Sequence, residues 1–503
     1  MKRLFTLLLT FSAYGAGASS RMPAVAGAFY TADPVELRSQ VAGFLEAGKG
    51  MAPVRALVVP HAGYVYSGAI AGKAFAGIDG KSTRRVILLG PSHHMAFDGG
   101  ALPARDITAF RTPLGDLAVD SDSLASLRGH RDFKGPSAAH DAEHCLEVEL
   151  PFLQIVAPNA RIVPILVGHE TDLETAQRMA AALMPLLDST TVVVVSSDFT
   201  HHGENYRWTP FSEPDLGGQL VRLGGVTAGR LAAADPVGFW RQVEVSGDTV
   251  CGARPSAVLA ELLARAFDGS GEVLDVTTSG HLVGRWDLSV TYASIAFRGS
   301  WTAWKEPVRP KLGEITLGQG SDMVSLARAA LETYLLHDGS LAEWYAAPHD
   351  GDASRALAGA FVTLNNKGKK PQDPGRLRAC MGAIEAKQPL EEAVVRAAVW
   401  AAQDPRFPRL VASELSKVEI EVSVLSPAYP VSGPGAIEVG THGVILTKGV
   451  HRALFLPQVA TEQGWGRQTM LDHLARKAGL PPGGWRDGAS FEVFTAQVFG
   501  EGH

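Results

Sequence analysis

The stretch Val192–Gly203, VVVVSSDFTHHG, decides how the rest of the chain is read. Its four consecutive valines make a strand that is apolar on both faces, as in a parallel sheet covered by helices on each side. The run then opens into Ser196, Ser197, Asp198, Phe199, Thr200, His201 and His202. In α/β proteins ligands sit outside the carboxyl ends of the strands, so acid, hydroxyl and imidazole groups arriving there mark a site. Two earlier stretches end the same way. ALVVP (Ala56–Pro60) runs into His61, Ala62, Gly63 and Tyr64, and VILLG (Val86–Gly90) into Pro91, Ser92, His93 and His94. Three such ends predict one shared site.

Outward from these strands, helices and strands alternate. Leu37–Leu45, Gly68–Phe75, Leu173–Leu187 and Ala253–Phe267 carry helical patterns, the last with Pro255 in its first turn. Arg161–Gly168 and Leu288–Phe297 read as further strands, and Asp98–Asp120 as a polar insert with short β pieces. His140–Val156 is expected to be helical, with Pro151 ending or kinking it. The pattern predicts an α/β layered domain over residues 21–299.

GSWTAWKEPVRPKLG (Gly299–Gly313) has two prolines and no apolar period, which places a linker at 300–315. The remainder, 316–503, mixes helices at Ser321–Leu336, Leu390–Gln403 and Gln468–Ala478 with strands at Gly359–Leu364 and Leu377–Ala383. Val418–Leu425 alternates and predicts a half-exposed strand, and His442–Gly449 with Arg452–Val459 predicts a hairpin. Strands beside separate helices make this an α+β domain.

The chain of 503 residues carries a formal charge of −6, which gives no electrostatic reason to expect a nucleic-acid partner. Its three cysteines, Cys145, Cys251 and Cys380, are too few for a disulfide framework, so each is a buried small residue, a ligand or a reactive thiol. At the start, Lys2 and Arg3 precede an apolar run to Tyr14 and then Ala16, Gly17 and Ala18. This reads as a signal peptide over 1–18, giving a periplasmic or extracellular protein, and a cytoplasmic one otherwise. The run is shorter than the ~20 residues a membrane span needs, and the mature chain offers no span.

His61, His93, Asp198, His201 and Cys251 all fall where loops would converge, and two imidazoles with one thiolate make a plausible mononuclear metal site with an open position. His140 and His144 have the i, i+4 spacing of a zinc pair but lack an evident third ligand. His144 and Glu147, one helical turn apart, are expected to line the same cleft together with His94. Cys145 reads as buried packing. Arg378 and Cys380, two apart on a strand, would share a face, with the arginine activating the thiol or holding an anion.

These motifs, PHAGY, GPSHH, SSDFTHHG and CGARP, in this order, resemble the Memo family, protein B of the AmmeMemoRadiSam system of prokaryotes. RMPAVAGAFY (Arg21–Tyr30), FRTPLGD (Phe110–Asp116) and EHCLEVELPF (Glu143–Phe152) extend the match over nearly all of 21–299. The resemblance implies a fold similar to class III extradiol dioxygenases and a mononuclear metal held by His61, His93 and Cys251. Iron is the first candidate and zinc or copper the alternatives. It also implies His201 as proton-transfer group, oriented by Asp198, in redox or O2-dependent chemistry on a small substrate. A cysteine stands where the dioxygenases carry a carboxylate ligand, which changes metal preference and redox potential. Animal Memo proteins suggest the alternative of a non-catalytic metal- or peptide-binding module.

Residues 316–503 resemble the AMMECR family, protein A of the same system, through FVTL, LRACMG, DPRF, VEIEVSVLS, HGV, FLPQVA and KAGLP. The family's usual LRGCIG is altered by Ala379 and Met381, and the extra methyl of Ala379 is expected to narrow a cleft. As an alternative reading, the resemblance implies that this half is a docking domain for the system's radical-SAM partner.

Overall fold

A computed structural model of the chain describes residues 19–211, 215–305, 315–336, 358–370, 373–384 and 390–501. The expected signal peptide, 1–18, and residues 306–314 of the expected linker lie outside these. The chain forms two compact units. One comprises Met1–His201, Ala228–Asp235 and Val250–Lys305, and the other His202–Thr227, Pro236–Thr249 and Glu306–His503. Of two helices in the intervening stretch, Leu216–Ala232 belongs to the second unit as far as Thr227 and Pro236–Ser246 belongs to it entirely.

In the first unit seven strands form the main path of one sheet: β1 (Ala56–Val59), β2 (Arg85–Pro91), β3 (Gly100–Ala101), β4 (Arg161–Val167), β5 (Thr191–Ser196), β6 (Phe267–Thr278) and β7 (Leu288–Trp301). They lie in the order β6-β7-β1-β5-β2-β4-β3. The four central strands, β1, β5, β2 and β4, are parallel and almost wholly buried, which is why they read as unbroken apolar runs rather than alternating ones. Register is what matters for function. Val59 lies beside Ser196 and Leu89 beside Val195, so the residues after β1, β2 and β5 emerge level at one sheet edge.

Helices α1 (Pro34–Leu45), α2 (Tyr64–Phe75), α3 (Leu150–Val156), α4 (Leu173–Leu183) and α5 (Ala253–Ala266) accompany the sheet. Asp33 caps α1 by accepting from Val35 N and Glu36 N at 2.8 and 2.9 Å, and Asp172 caps α4 through Thr175 N at 2.7 Å. The Asp98–Asp120 insert supplies two strands of a small sheet, Ile107–Thr112 and Gly115–Ala118, joined by Ser19–Arg21.

Two expectations for this unit change. His140–Val156 is not one helix: 3-10 turns at Ser137–His140 and Glu147–Glu149 precede α3, and Pro151 lies in the first turn of α3. A proline there removes no helical hydrogen bond, so it begins the helix instead of ending one. Strand β7 also runs on through Gly299 and Ser300 to Trp301, paired along its length with β6, so the linker's first residues are sheet.

The second unit has two four-stranded sheets. β8 (Gly359–Asn366), β9 (Leu377–Ala383), β10 (Val418–Leu425) and a late strand Ala496–Gly500 lie in the order β9-β8-β10-late strand. Tyr429–Val431, Gly443–Lys448, His451–Phe455 and Ser490–Phe494 form the other, with the expected hairpin between Val444–Phe455 and Lys448–His451. Helices Leu317–Leu336, Leu390–Ala402, Pro457–Glu462 and Arg467–Lys477 pack with them. Strand β10 departs from its half-exposed reading. It is flanked on both sides, and Val422 to Leu425, Ser423 included, are buried.

Candidate metal centre

The site of the first unit is built where β1, β2 and β5 end. His61 follows β1, and its backbone N–H donates to Asp198 Oδ1 at 2.9 Å, tying the β1 and β5 loops together. Its ring is fully buried, with Nδ1 2.8 Å from Ser196 Oγ. Ser196 Oγ lies in turn 2.8 Å from both Glu149 Oε1 and the Cys145 carbonyl, so its single proton goes to one of them and its lone pairs accept from Nδ1. His93 is anchored by a carboxylate. Glu143 accepts from His93 Nδ1 at 2.8 Å and from His93 N at 2.7 Å. With both Nδ1 atoms engaged as donors, the Nε2 atoms are the ones left to accept a metal.

Cys251 completes the group. Its Sγ is 3.2 Å from His61 Nε2 and 3.4 Å from the Asp198 carbonyl oxygen. Donor atoms of His61, His93 and Cys251 all lie within 4.8 Å of one another. Two ligands of one tetrahedral zinc, at about 2.1 and 2.3 Å from the ion, stand about 3.6 Å apart, so the spacing fits a shared cation. Gly252 makes it possible: a Cβ there would come within 2.3 Å of the Ser197 side chain. The CG pair therefore lets the Cys251 loop press onto the end of β5.

Charge states agree with this use. Burial, then the neighbouring His93 and His144, hold His61 well below the ordinary imidazole range, which favours the neutral imidazole that a metal would need. Burial pushes the Cys251 thiol well up. Glu143 is buried too, but hydrogen bonds from His144 and His93 outweigh this and keep it ionised. Burial, with the Asp198 charge adding to it, raises Glu149 far above the usual carboxyl range against the hydrogen bond from Ser196, which favours a neutral acid there. A cation held by Cys251 would take it as thiolate, so capture would release the thiol proton. Apparent affinity for Zn(II) should then rise about tenfold per pH unit between pH 6 and 8, and fall by the same factor as the solution is acidified. Calorimetric titration in buffers of different ionisation enthalpy measures this, and a pH-independent affinity without proton release would mean that sulfur is not a ligand.

Other expected site residues divide. His144 joins the cluster: its ring stacks on His93 at 4.7 Å and meets His61 edge-on at 5.5 Å. His94 is exposed and falls with Glu143 and His144 in a second ligand-capable group. Asp198 and His201 act electrostatically on one another, burial raising the Asp198 carboxyl and His201 pulling it down. His201 Nδ1 pairs with the Phe199 carbonyl at 2.8 Å, so it carries the proton and Nε2 is the basic atom. Glu147 is elsewhere. It accepts from Arg21, from Ala24 N and Val25 N at 2.6 and 3.0 Å, and from Tyr30 O–H at 2.7 Å. It shares no helical face with His144, because Glu143 takes the N–H groups of His144 and Cys145 and winds that segment round its carboxylate.

His140 turns away as well, with Nε2 3.0 Å from the Ala101 carbonyl and burial lowering it to about 4. It does not form a zinc pair with His144. Cys145 is buried with Sγ on the Pro91 carbonyl at 3.1 Å, and it also falls in a ligand-capable group with His93 and Glu143. Sequence reasoning missed Glu143, Ser196 and Glu149 as supports, although EHCLEVELPF and VVVVSSDF contain all three.

The family is decided by comparison with known proteins. The pattern described as Memo-like protein matches residues 21–296. The chain belongs to the Memo family. The AMMECR1 pattern matches residues 324–499, so the Memo domain is joined to an AMMECR1 domain in one chain. Protein MEMO1 of Danio rerio is 33% identical over 283 residues, covering 54% of this chain and 94% of its own length. The MEMO1 family protein of Methanopyrus kandleri is 34% identical over 294 residues, 55% and 99% respectively. The crystal structure of an uncharacterized protein from Pyrococcus horikoshii aligns with a TM-score of 0.35 and 37% identity, covering 38% of this chain and 94% of that one.

In the AMMECR1 domain, Arg378 and Cys380 are not partners. Arg378 donates to Glu414 Oε1 and Oε2 at 2.9 and 3.0 Å and to the Pro408 carbonyl at 3.0 Å. Cys380 Sγ faces Thr363 Oγ1 at 3.3 Å. The pairing of β9 with β8 passes from Ala379 to Leu377 and skips Arg378, an irregularity that breaks strict alternation, so each residue has its own neighbours. Ala379 is fully buried on the opposite face of β9, so its methyl fills core and narrows no cleft.

Proposed function

We propose that the Memo domain is a mononuclear metal-dependent oxidoreductase acting on a small substrate, with His61, His93 and Cys251 as ligands. One observation carries the reading: three donor atoms converge at the sheet edge, two of them imidazole nitrogens whose far sides are anchored by Ser196 and Glu143. Imidazole and thiolate together suit iron, copper or zinc, and iron is the ion proposed. When bound, such an ion supplies Lewis acidity and one-electron exchange at an open position. His201 accepts or returns a proton at Nε2, since Nδ1 is committed to Phe199. Asp198 braces the site through the His61 N–H and sets its carboxyl beside His201, which draws that carboxyl down against the upward push of burial.

The test uses the full chain purified anaerobically from its own host. Elemental analysis should find iron, and dissolved-oxygen uptake with ascorbate as reductant should fall by about 10²–10⁴ in His201→Ala while metal content is unchanged. Zinc alone at one per chain, or unaltered uptake in His201→Ala, would overturn the redox reading in favour of a binding module.

A further inference from the structure

The AMMECR1 domain contains a cleft of about 630 Å³ lined by residues of both its sheets. That volume is in the range of small-molecule sites. Phe361, Leu377, Phe407, Leu454, Leu456 and Val459 make much of it apolar. One part of the wall carries Cys380 with two cations. Arg406 is locked in place, donating from Nε to Asp404 Oδ1 at 2.9 Å and from Nη2 to Asp404 Oδ2 at 2.6 Å and the Cys380 carbonyl at 2.8 Å. Asp404 also accepts the Cys380 N–H at 3.0 Å, so its charge is already used. Lys477 Nζ reaches in from the end of its helix and donates to the Leu454 carbonyl at 3.0 Å, 5.1 Å from the centre of the Phe455 ring.

Among the described residues no carboxylate is paired with Lys477. Burial and the nearby Arg406 both lower its ammonium pKa, so two cations repel one another across this part of the cleft. The acids that share the walls act elsewhere than on Lys477: Arg376 acts on Glu462, Asp373 is on the loop before β9, and Glu421 on β10 acts on the Cys380 thiol, which it pushes up while Arg406 and Lys477 pull it down. An anion between Arg406 and Lys477 would relieve the repulsion and fill the ammonium's remaining donors.

We propose that this cleft binds a small molecule with an apolar body and an anionic head, carboxylate or phosphate, the head held between Arg406 and Lys477 beside the Cys380 thiol. Cys380 serves as its own reporter. In the full chain, labelling of the Cys380 peptide by iodoacetate and by iodoacetamide is followed by mass spectrometry and compared with the urea-unfolded chain. The folded protein should favour the anionic reagent severalfold over the unfolded ratio, because the two cations concentrate it. Lys477→Met should return the ratio to the unfolded value, and Lys477→Arg should keep it. Benzoate and phenyl phosphate present the same body with different heads, and the one that slows labelling identifies the head. A folded ratio equal to the unfolded one, a preference that survives Lys477→Met, no labelling by either reagent, or no protection by either probe at millimolar concentration would overturn the proposal.

Discussion

Cys251→Ser is expected to lose its metal. A neutral hydroxyl replaces the thiolate that lies 3.2 Å from His61 Nε2, and only two imidazoles remain. Removing a group that merely supports a ligand typically weakens metal binding 10–100-fold, so losing the ligand itself should cost more than about 100-fold. Metal per chain by elemental analysis should then fall far below one. Cys251→Asp should recover iron in part, because it recreates two histidines and a carboxylate on one face of the ion. Cys145→Ser keeps a donor for the Pro91 carbonyl and Cys380→Ser lies in the other domain, so both should leave metal content unchanged. Parent-like metal content in Cys251→Ser would remove sulfur from the site and with it the proposed chemistry.

The largest loss of stability should come from Glu147→Ala, a residue with no part in the metal group. Its carboxylate is fully buried and takes four donors from the segment Arg21–Tyr30: a guanidinium, two backbone N–H groups and a phenol. Truncation leaves the Arg21 charge buried without its partner, which costs about 3–5 kcal/mol. For a unit of this size that lowers the thermal midpoint by roughly 6–20 °C. Calorimetry of the full chain should show the shift in one transition only. Glu147→Gln keeps the volume and one acceptor, and should recover part of the loss. A shift below about 1 kcal/mol would mean that Arg21 finds other partners or reaches water.

The effect would also reach the metal centre. The Glu147-bound segment carries Phe29, whose ring lies 4.9 Å from His144, and whose carbonyl accepts the Tyr64 N–H just after His61. Loosening residues 21–30 therefore removes one wall from the histidine cluster.

How much was legible depended on whether a residue's role was local. Runs such as VVVV and VILLG report burial on both faces directly, so the central strands and the polar groups after them could be placed from sequence. The helix from Ala253 and the Gly443–Phe455 hairpin were equally plain, because capping and periodicity act over a few residues. The reading of His144 and Glu147 as one face failed because a buried carboxylate, Glu143, outcompetes the helical pattern for backbone donors. Val418–Leu425 misled for a related reason: alternation describes one strand, whereas its flanking by β8 and the C-terminal strand is a property of the sheet.

By itself the sequence determined the two-domain order, the α/β character of the first half, and the histidines and cysteine worth testing. It could do so because apolar period and motif spacing are one-dimensional quantities. Only the tertiary structure decided that His61, His93 and Cys251 meet, since that requires β1, β5 and β2 to lie parallel and in level register, with Cys251 brought in from 53 residues beyond Asp198. It alone assigned Glu143 to His93, Ser196 and Glu149 to His61, and Glu147 to Arg21, among carboxylates that look alike in one short stretch. Burial and hydrogen-bond partners distinguish them, and both arise from contacts between residues far apart in the chain.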